Sequence, residues 1–259
     1  MRKFLFALLF SGLFHSVSSA QSEWRNWTSA EISYEHTKKL DFKLTQLLSF
    51  NMSDSFSNNF NQTSLQADYD ITKNISLRGA AMLTQFPSSN TNTVRGIFRV
   101  SYKFNPLKML TWTNSLQAEY HSTQETRYRE RFIYVSRLAL RKRLKFLKLS
   151  PSITYWLYYN IGGSTIKYYD ATGANYIRNT PDGLHRGRLF INLNSKINSR
   201  FQVSLYYMNQ QEFNLFTPTN RKMNVSNPNT GKIYRPFDRY NVLGITGILE
   251  LKRKKTNKE

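Results

Sequence analysis

The stretch Thr93-Val-Arg-Gly-Ile-Phe-Arg-Val-Ser-Tyr-Lys-Phe104 decides the expected fold, because apolar and polar residues alternate along it. In an extended chain, Val94 and Phe98 fall on one face and Arg95 and Arg99 fall on the other. One face suits an apolar environment and the other suits water. Similar alternation returns along most of the chain, which predicts an all-β protein.

The strands are separated in turn by short connections and by long polar ones. The short connections lie at 36–40, 71–75, 104–108, 141–145 and 197–201, and the long ones at 51–62, 85–92, 121–126, 161–185 and 213–237. Such alternation is typical of an antiparallel up-and-down transmembrane β-barrel, with short periplasmic turns and long extracellular loops. We therefore expect a barrel in the cell outer membrane.

The pattern gives eleven candidate strands. They lie at 27–35, 40–50, 63–71, 75–84, 93–104, 109–120, 127–140, 149–160, 186–196, 200–211 and 239–251. Single-chain bacterial barrels have even strand numbers, so we expect 10–12 strands with 12 preferred. Either Gln21–Asn26 threads the lumen or one strand is missed. Residues 165–169 and 175–178 could form an extra hairpin, which leaves the parity unchanged.

The ends of the chain and its composition indicate where in the cell the protein is located. Arg2 and Lys3 precede a short apolar run and Ser18-Ser19-Ala20, which predicts a signal peptide over residues 1–20. The barrel is then expected over 21–251 and a basic tail over 252–259. The net charge of +21 could indicate nucleic acid, but an exported chain meets lipid and polysaccharide instead. No cysteine is present, so thiolate chemistry is excluded.

Aromatic residues on the apolar face predict two girdles, one at each bilayer interface. The first set lies near the short turns and comprises Tyr34, Phe42, Tyr69, Tyr102, Phe104, Trp112 and Phe201. The second lies near the long loops and comprises Phe50, Tyr120, Tyr128, Tyr159 and Tyr207. Aromatic residues also favour strands in general, but aliphatic residues dominate between the two sets.

The opposite face carries many charges. Besides Lys43, the residues expected to line the lumen are Glu31, Asp68, Arg78, Arg95, Arg99, Glu119, Arg129, Arg131, Arg137, Arg186 and Arg188. These charges could form an internal salt-bridge network that fills a small barrel. Alternatively, the excess of arginine could form a porin-like lining that admits or binds small anions. We therefore expect a structural barrel or a passive passage for small solutes.

The protein could instead be an enzyme or a surface adhesion protein. His121 lies near Ser122 and Glu119, a composition similar to that of outer-membrane lipid hydrolases. No spacing brings a serine, a histidine and an acid together on adjacent strands, so we expect no enzyme. The sequence also shows no metal-ligand spacing and no phosphate-binding glycine motif, so no cofactor is expected.

Residues 27–34, 37–44 and 68–75 resemble an uncharacterised Gram-negative outer-membrane β-barrel family whose members carry a domain-of-unknown-function label. The resemblance implies a barrel and supplies no catalytic residues. From the expected outer-membrane location we also expect outer-membrane lipid, lipopolysaccharide and the barrel-assembly machinery as partners. Barrels usually end on an aromatic residue that this machinery recognises, whereas this chain ends Lys254-Lys-Thr-Asn-Lys-Glu259.

Overall fold

The computed structural model describes residues 23–53 and 56–252, which form an all-β protein. The strands are β1 (Glu23–Glu35), β2 (Leu40–Asn51), β3 (Ser57–Asp70), β4 (Ile75–Phe86), β5 (Thr91–Leu107), β6 (Leu110–His121), β7 (Glu130–Leu140), β8 (Leu149–Ile161), β9 (Ile166–Tyr169), β10 (Tyr176–Asn179), β11 (Gly183–Lys196), β12 (Phe201–Leu215), β13 (Val225–Ser226), β14 (Ile233–Tyr234) and β15 (Tyr240–Lys252). The expected signal peptide lies outside the described residues, as does the basic tail beyond Lys252. Within the described ranges, no helix is long and apolar enough to cross a membrane.

Eleven of these strands close into one barrel, in the order β1-β15-β12-β11-β8-β7-β6-β5-β4-β3-β2. Neighbouring strands are antiparallel except at the closing pair. There β1 and β15 run parallel, from Glu23 opposite Tyr240 to Glu35 opposite Lys252. The predicted all-β barrel is confirmed, and its strands follow the predicted order along the chain.

The barrel has eleven strands, which lies within the expected range of 10–12 but differs from the preferred twelve. The even-number rule assumes that the first and last strands meet antiparallel. Here β1 starts at the long-loop end and β15 finishes at the short-turn end, so these strands can pair only in parallel. Residues 23–26 pair with β15 within the wall and do not thread the lumen, and residues 21–22 lie outside the described part.

Strand residues alternate between an exposed exterior and a filled interior. On the exterior, Leu116 is 70% exposed and Phe98 is 53% exposed. In the interior, Ile133 and Tyr158 are each 1% exposed and Met208 is fully buried. The apolar face therefore points away from the barrel axis, which is the arrangement that a membrane barrel requires and the reverse of a soluble one.

Close packing inside the barrel leaves no free space for a side chain at Gly244 on β15. A Cβ atom added there would lie 2.0 Å from the ring of Tyr206. That ring packs beside Phe190 against the buried cluster around Met208. We expect Gly244→Ala to destabilise the barrel by about 1–3 kcal/mol through overpacking.

Urea-induced unfolding in detergent would measure this effect, with Gly79→Ala as the matched control. Gly79 also lies within a barrel strand, and an added Cβ there meets nothing within 4 Å. Its replacement should leave stability nearly unchanged. Equal losses for the two variants would contradict the packing of Tyr206 against β15.

Exposed aromatic residues lie near both ends of the barrel exterior. Tyr102 (50%) and Trp112 (38%) lie near the short turns, and Tyr120 (57%) and Tyr159 (42%) lie near the long loops. Tyr128 is an exception to the predicted girdle, because it is 9% exposed and lies inside. The reason is that β7 begins at Glu130. Tyr128 therefore belongs to the preceding loop, and its side chain does not follow the inward and outward alternation of the strand.

The two longest loops fold together at one end of the barrel. The hairpin β9–β10 confirms the extra hairpin considered from the sequence, and β13–β14 forms a second. Asn227 donates a hydrogen bond to the Tyr169 hydroxyl at 3.1 Å, and Tyr168 donates to the Lys222 carbonyl at 3.0 Å. Burial and the Asp182 carboxylate raise the pKa of Tyr168 to about 12, so its hydroxyl keeps the proton that it donates.

Candidate functional site in the barrel lumen

The candidate site is a network of charged side chains inside the barrel, and Glu119 on β6 is its first centre. Arg131 lies directly opposite on β7 and donates to Glu119 from both Nε, at 2.9 Å, and Nη2. Arg95 approaches the same carboxylate from β5, at 3.6 Å. Glu119 and Arg131 are buried, at 5% and 3% exposure. One carboxylate therefore neutralises charge from two neighbouring strands.

Glu212 on β12 is the second centre. Arg186 lies opposite on β11 and donates from Nε at 2.9 Å and from Nη2. The backbone N–H of Asp238 donates to the other carboxylate oxygen at 2.7 Å, and Arg127 Nη2 lies 3.5 Å from it. Glu212 is 2% exposed. These contacts tie the barrel wall to the long loops.

The ring of Tyr158 on β8 lies between the two centres. The guanidinium carbons of Arg131, Arg186 and Arg188 lie 5.3, 5.9 and 5.4 Å from its centroid. A cation above an aromatic face is attracted by the ring quadrupole. Tyr158 thus offers a weakly negative surface to three arginines, of which Arg131 and Arg186 contact carboxylates among the described residues.

A third group of charges lies nearer the short-turn end. Asp68 on β3 accepts from Arg78 Nε at 2.7 Å, and Lys43 Nζ lies 3.2 Å from it. Arg78 is 29% exposed and Lys43 is 27% exposed, so this group remains partly hydrated. The pairs within it are consequently weaker contributors to stability than those around Glu119 and Glu212.

Three lumen arginines lack a carboxylate partner among the described residues. Arg99 donates to Gln117 at 2.6 Å and lies over Trp156, and Arg188 donates to Gln210 at 2.7 Å. Arg137 is exposed to the lumen, opposite Thr113 and Thr154. The lumen therefore carries an excess of positive charge beyond its paired groups.

Two of the predicted lumen residues differ from the rest. Glu31 faces inward opposite Thr45, but no ion pair of this carboxylate occurs in the described part of the chain. Arg129 does not line the lumen: its guanidinium lies over the outward-facing ring of Tyr120, 5.5 Å from the centroid. Arg129 precedes β7, as Tyr128 does, so neither side chain follows the inward and outward alternation of that strand.

The long-loop half of the lumen is filled. The cavity between Arg127, Tyr128, Arg186, Glu212 and Arg235 has a volume of about 10 Å³, which is room for a single water. Below it, Ile133, Val135 and Tyr158 form a buried apolar layer. A second buried cluster around Trp27, Met208 and Val242 covers the opposite wall. Buried side chains thus occupy two walls of the lumen in this half of the barrel.

This layering predicts a sharp change in accessibility along β7. A cysteine in place of Arg137 should react readily with a water-soluble maleimide, because residue 137 is exposed in the short-turn half. A cysteine in place of Ile133 should resist until the barrel unfolds, because Ile133 is 1% exposed. The chain has no native cysteine, so each variant carries a single reactive thiol. Equal labelling rates in the folded protein would contradict a filled lumen.

The histidine considered for catalysis belongs to the network. His121 Nε2 lies 3.3 Å from Glu119 Oε2, and the imidazole packs edge-on to Tyr128 at 4.9 Å. Ser122 instead accepts a hydrogen bond from the Val94 N–H at 3.1 Å. Residues 23–53 and 56–252 contain no group of three or more acidic, histidine or cysteine side chains that could hold a metal ion.

Glu212 and Arg25 are parts of the network that the sequence interpretation missed. Glu212 lies just beyond the predicted end of its strand at 211, although β12 continues to Leu215. Arg25 lies before the predicted start at 27 and contacts Asp238 at 3.1 Å. Both continue the inward alternation of their strands, so extending the pattern past the predicted ends would have found them.

Comparison with protein-family models gives no match, and comparison with curated proteins gives none either. The resemblance to an uncharacterised outer-membrane barrel family stays a prediction from the sequence.

Proposed function

We propose that this protein is an outer-membrane β-barrel whose lumen is closed by its own side chains, so that its primary role is structural rather than that of an open passage. The observation that carries this proposal is the pairing of Glu119 and Glu212 with arginines inside a barrel whose exterior is apolar. In this account, the short turns face the periplasm and the folded long loops face the cell exterior.

The exterior supports membrane insertion. A water-soluble barrel would gain nothing by exposing Leu65 (60%), Leu116 (70%) and Leu205 (51%) while burying arginine and glutamate. Burial of ionised groups is costly unless they are paired, and the interior supplies that pairing. In lipid, the apolar exterior contacts acyl chains while the charged side chains stay paired in the interior, so both faces of the barrel wall are in a favourable environment.

The paired charges support closure. Arg131 and Arg186 are held by carboxylates that lie directly opposite on neighbouring strands, and Tyr158 fills the space between them. Moving these side chains aside would separate buried charges from their partners. The network therefore resists opening, as well as filling the space.

Anion binding is a second candidate function, and the arginines without carboxylate partners favour it. Arg137 lies on the short-turn side of the buried layer, opposite Thr113 and Thr154, and Arg99 lies over Trp156, which packs against that layer. An anion entering from that side would meet positive charge that nearby carboxylates do not fully neutralise. Such an anion would bind in a blind vestibule instead of crossing the barrel.

We do not propose a hydrolase, because a nucleophile needs a base oriented beside it. His121 is directed to Glu119 and Tyr128, and Ser122 is engaged by the backbone of β5. Phospholipid offered to the purified protein should release no fatty acid above a His121→Ala control. Turnover that disappears in that control would overturn the non-enzymatic proposal.

Cell fractionation tests the location. The protein should be recovered with the outer membrane, and detergent should be needed to extract it. Recovery in the periplasmic fraction without detergent would contradict membrane insertion.

A further inference from the structure

The connection between β7 and β8 differs from the other short turns in length and composition. It runs Arg141-Lys-Arg-Leu-Lys-Phe-Leu-Lys148, and five of its eight residues are lysine or arginine. It contains no acidic residue. We call residues 141–148 the basic loop. Its composition combines dense positive charge with apolar residues at the short-turn end of the barrel.

Only one of the five cations is used to hold the basic loop in place. Arg143 donates to the carbonyls of Lys148 and Asn194, at 3.1 and 3.3 Å, and to the Gln202 side chain at 2.8 Å. The charged ends of the other four, Arg141, Lys142, Lys145 and Lys148, are exposed and contact no partner in the described part of the chain. A fixed loop thus presents four uncommitted positive charges.

Two leucines of the basic loop are exposed as well. Leu144 is 47% exposed and Leu147 is 62% exposed. Ser195 donates a hydrogen bond to the Leu147 carbonyl at 2.8 Å. Ser195 lies two residues after the outward-facing Leu193 on β11, so both side chains are on the outer face of the strand. The hydrogen bond therefore places Leu147 at the margin of the apolar exterior.

Nearby acids do not neutralise the basic loop. Glu250, at the same end of the barrel, accepts a hydrogen bond from Gln202 and lies 3.9 Å from Lys196. Asp68 is held by Arg78 and Lys43 inside the lumen. The positive charge of the loop is therefore available to a partner outside the protein.

We propose that the basic loop binds the phosphate headgroups of anionic phospholipids in the leaflet that meets the short-turn end. The four free cations would contact the phosphates, and Leu144 and Leu147 would enter the boundary between headgroups and acyl chains. Basic residues beside an anionic membrane surface each strengthen binding about fivefold. This inference rests on the proposed insertion of the barrel in a membrane.

The test uses the full chain reconstituted into vesicles that contain phosphatidylglycerol and phosphatidylethanolamine. Native mass spectrometry of the extracted protein then counts the lipids of each kind that stay bound. The test variant replaces Arg141, Lys142, Lys145 and Lys148 with glutamine and leaves Arg143 to hold the loop. A matched control variant replaces Lys38, Lys39, Lys73 and Lys108 with glutamine, which removes equal charge from other short turns at the same end.

The native chain should retain phosphatidylglycerol in preference to phosphatidylethanolamine. The test variant should lose that preference by at least about tenfold, since each cation contributes about fivefold. The control should lose less, because its four lysines are spread over three separate turns. Absence of a preference in the native chain, or equal losses in the two variants, would overturn the lipid site. Flotation of the same vesicles separates the two proposals: a native chain that does not float contradicts insertion, and one that floats without a lipid preference overturns only the lipid site.

Discussion

Replacing Glu119 with glutamine is expected to destabilise the folded barrel by about 3–5 kcal/mol, because it leaves buried arginines without a counter-charge. Arg131 is 3% exposed and donates two hydrogen bonds to this carboxylate, and Arg95 lies 3.6 Å away. Glutamine keeps nearly the same shape and can still accept one hydrogen bond. The loss would therefore report charge rather than packing.

Urea-induced unfolding in detergent or lipid vesicles measures this change, and Glu31→Gln provides the control. Glu31 also faces the lumen, but no ion pair of its carboxylate occurs among the described residues. Its replacement should cost less than about 1 kcal/mol, as for a hydrated charge without a fixed partner. Similar losses for Glu119→Gln and Glu31→Gln would show that the buried network does not stabilise the barrel.

Replacing Leu116 with arginine is expected to cost about 2–4 kcal/mol, because its side chain points into the proposed lipid near the middle of β6. Leu116 is 70% exposed, so the substitution creates no clash within the barrel. In a soluble protein, the same change at so exposed a position would be nearly neutral. The size of the loss thus distinguishes lipid from water at this surface.

Thr45→Arg is the matched control, since it introduces the same residue on the opposite face of the wall. Thr45 faces the lumen opposite Glu31, which could neutralise the added charge. A smaller cost is also expected for Arg99→Gln, which loses a hydrogen bond to Gln117 and a contact with Trp156. Equal destabilisation by Leu116→Arg and Thr45→Arg would contradict the assignment of the exterior to lipid.

The alternation in the sequence predicted the wall of the barrel well. The predicted strand 93–104 lies within β5 (Thr91–Leu107), and its arginines face inward as expected. The reason is local: neighbouring residues on a strand meet opposite environments, so their chemistry records the two faces. Cross-strand pairs such as Glu119 with Arg131 follow once the hairpin register is known.

The errors arose where distant parts of the chain determine the structure. The parallel pairing of β1 with β15 joins the two ends of the described chain, and no local pattern indicates its direction. The side chains of Tyr128 and Arg129 do not follow the inward and outward alternation, because both residues precede Glu130, where β7 begins. Glu212 was missed because the predicted strand ended at residue 211, although the alternation of β12 continues through it and Arg239 donates to its carbonyl at 3.1 Å.

Planar-bilayer conductance of the purified full chain tests the closed lumen most directly. Insertion is established first, by protection of the barrel from protease in the same lipid. We expect the inserted protein to give no stable channels, because the charges around Glu119 and Glu212 and the ring of Tyr158 occupy the lumen. Steady channels with a reversal potential that favours anions would contradict closure and would make the unpaired arginines the lining of a passage.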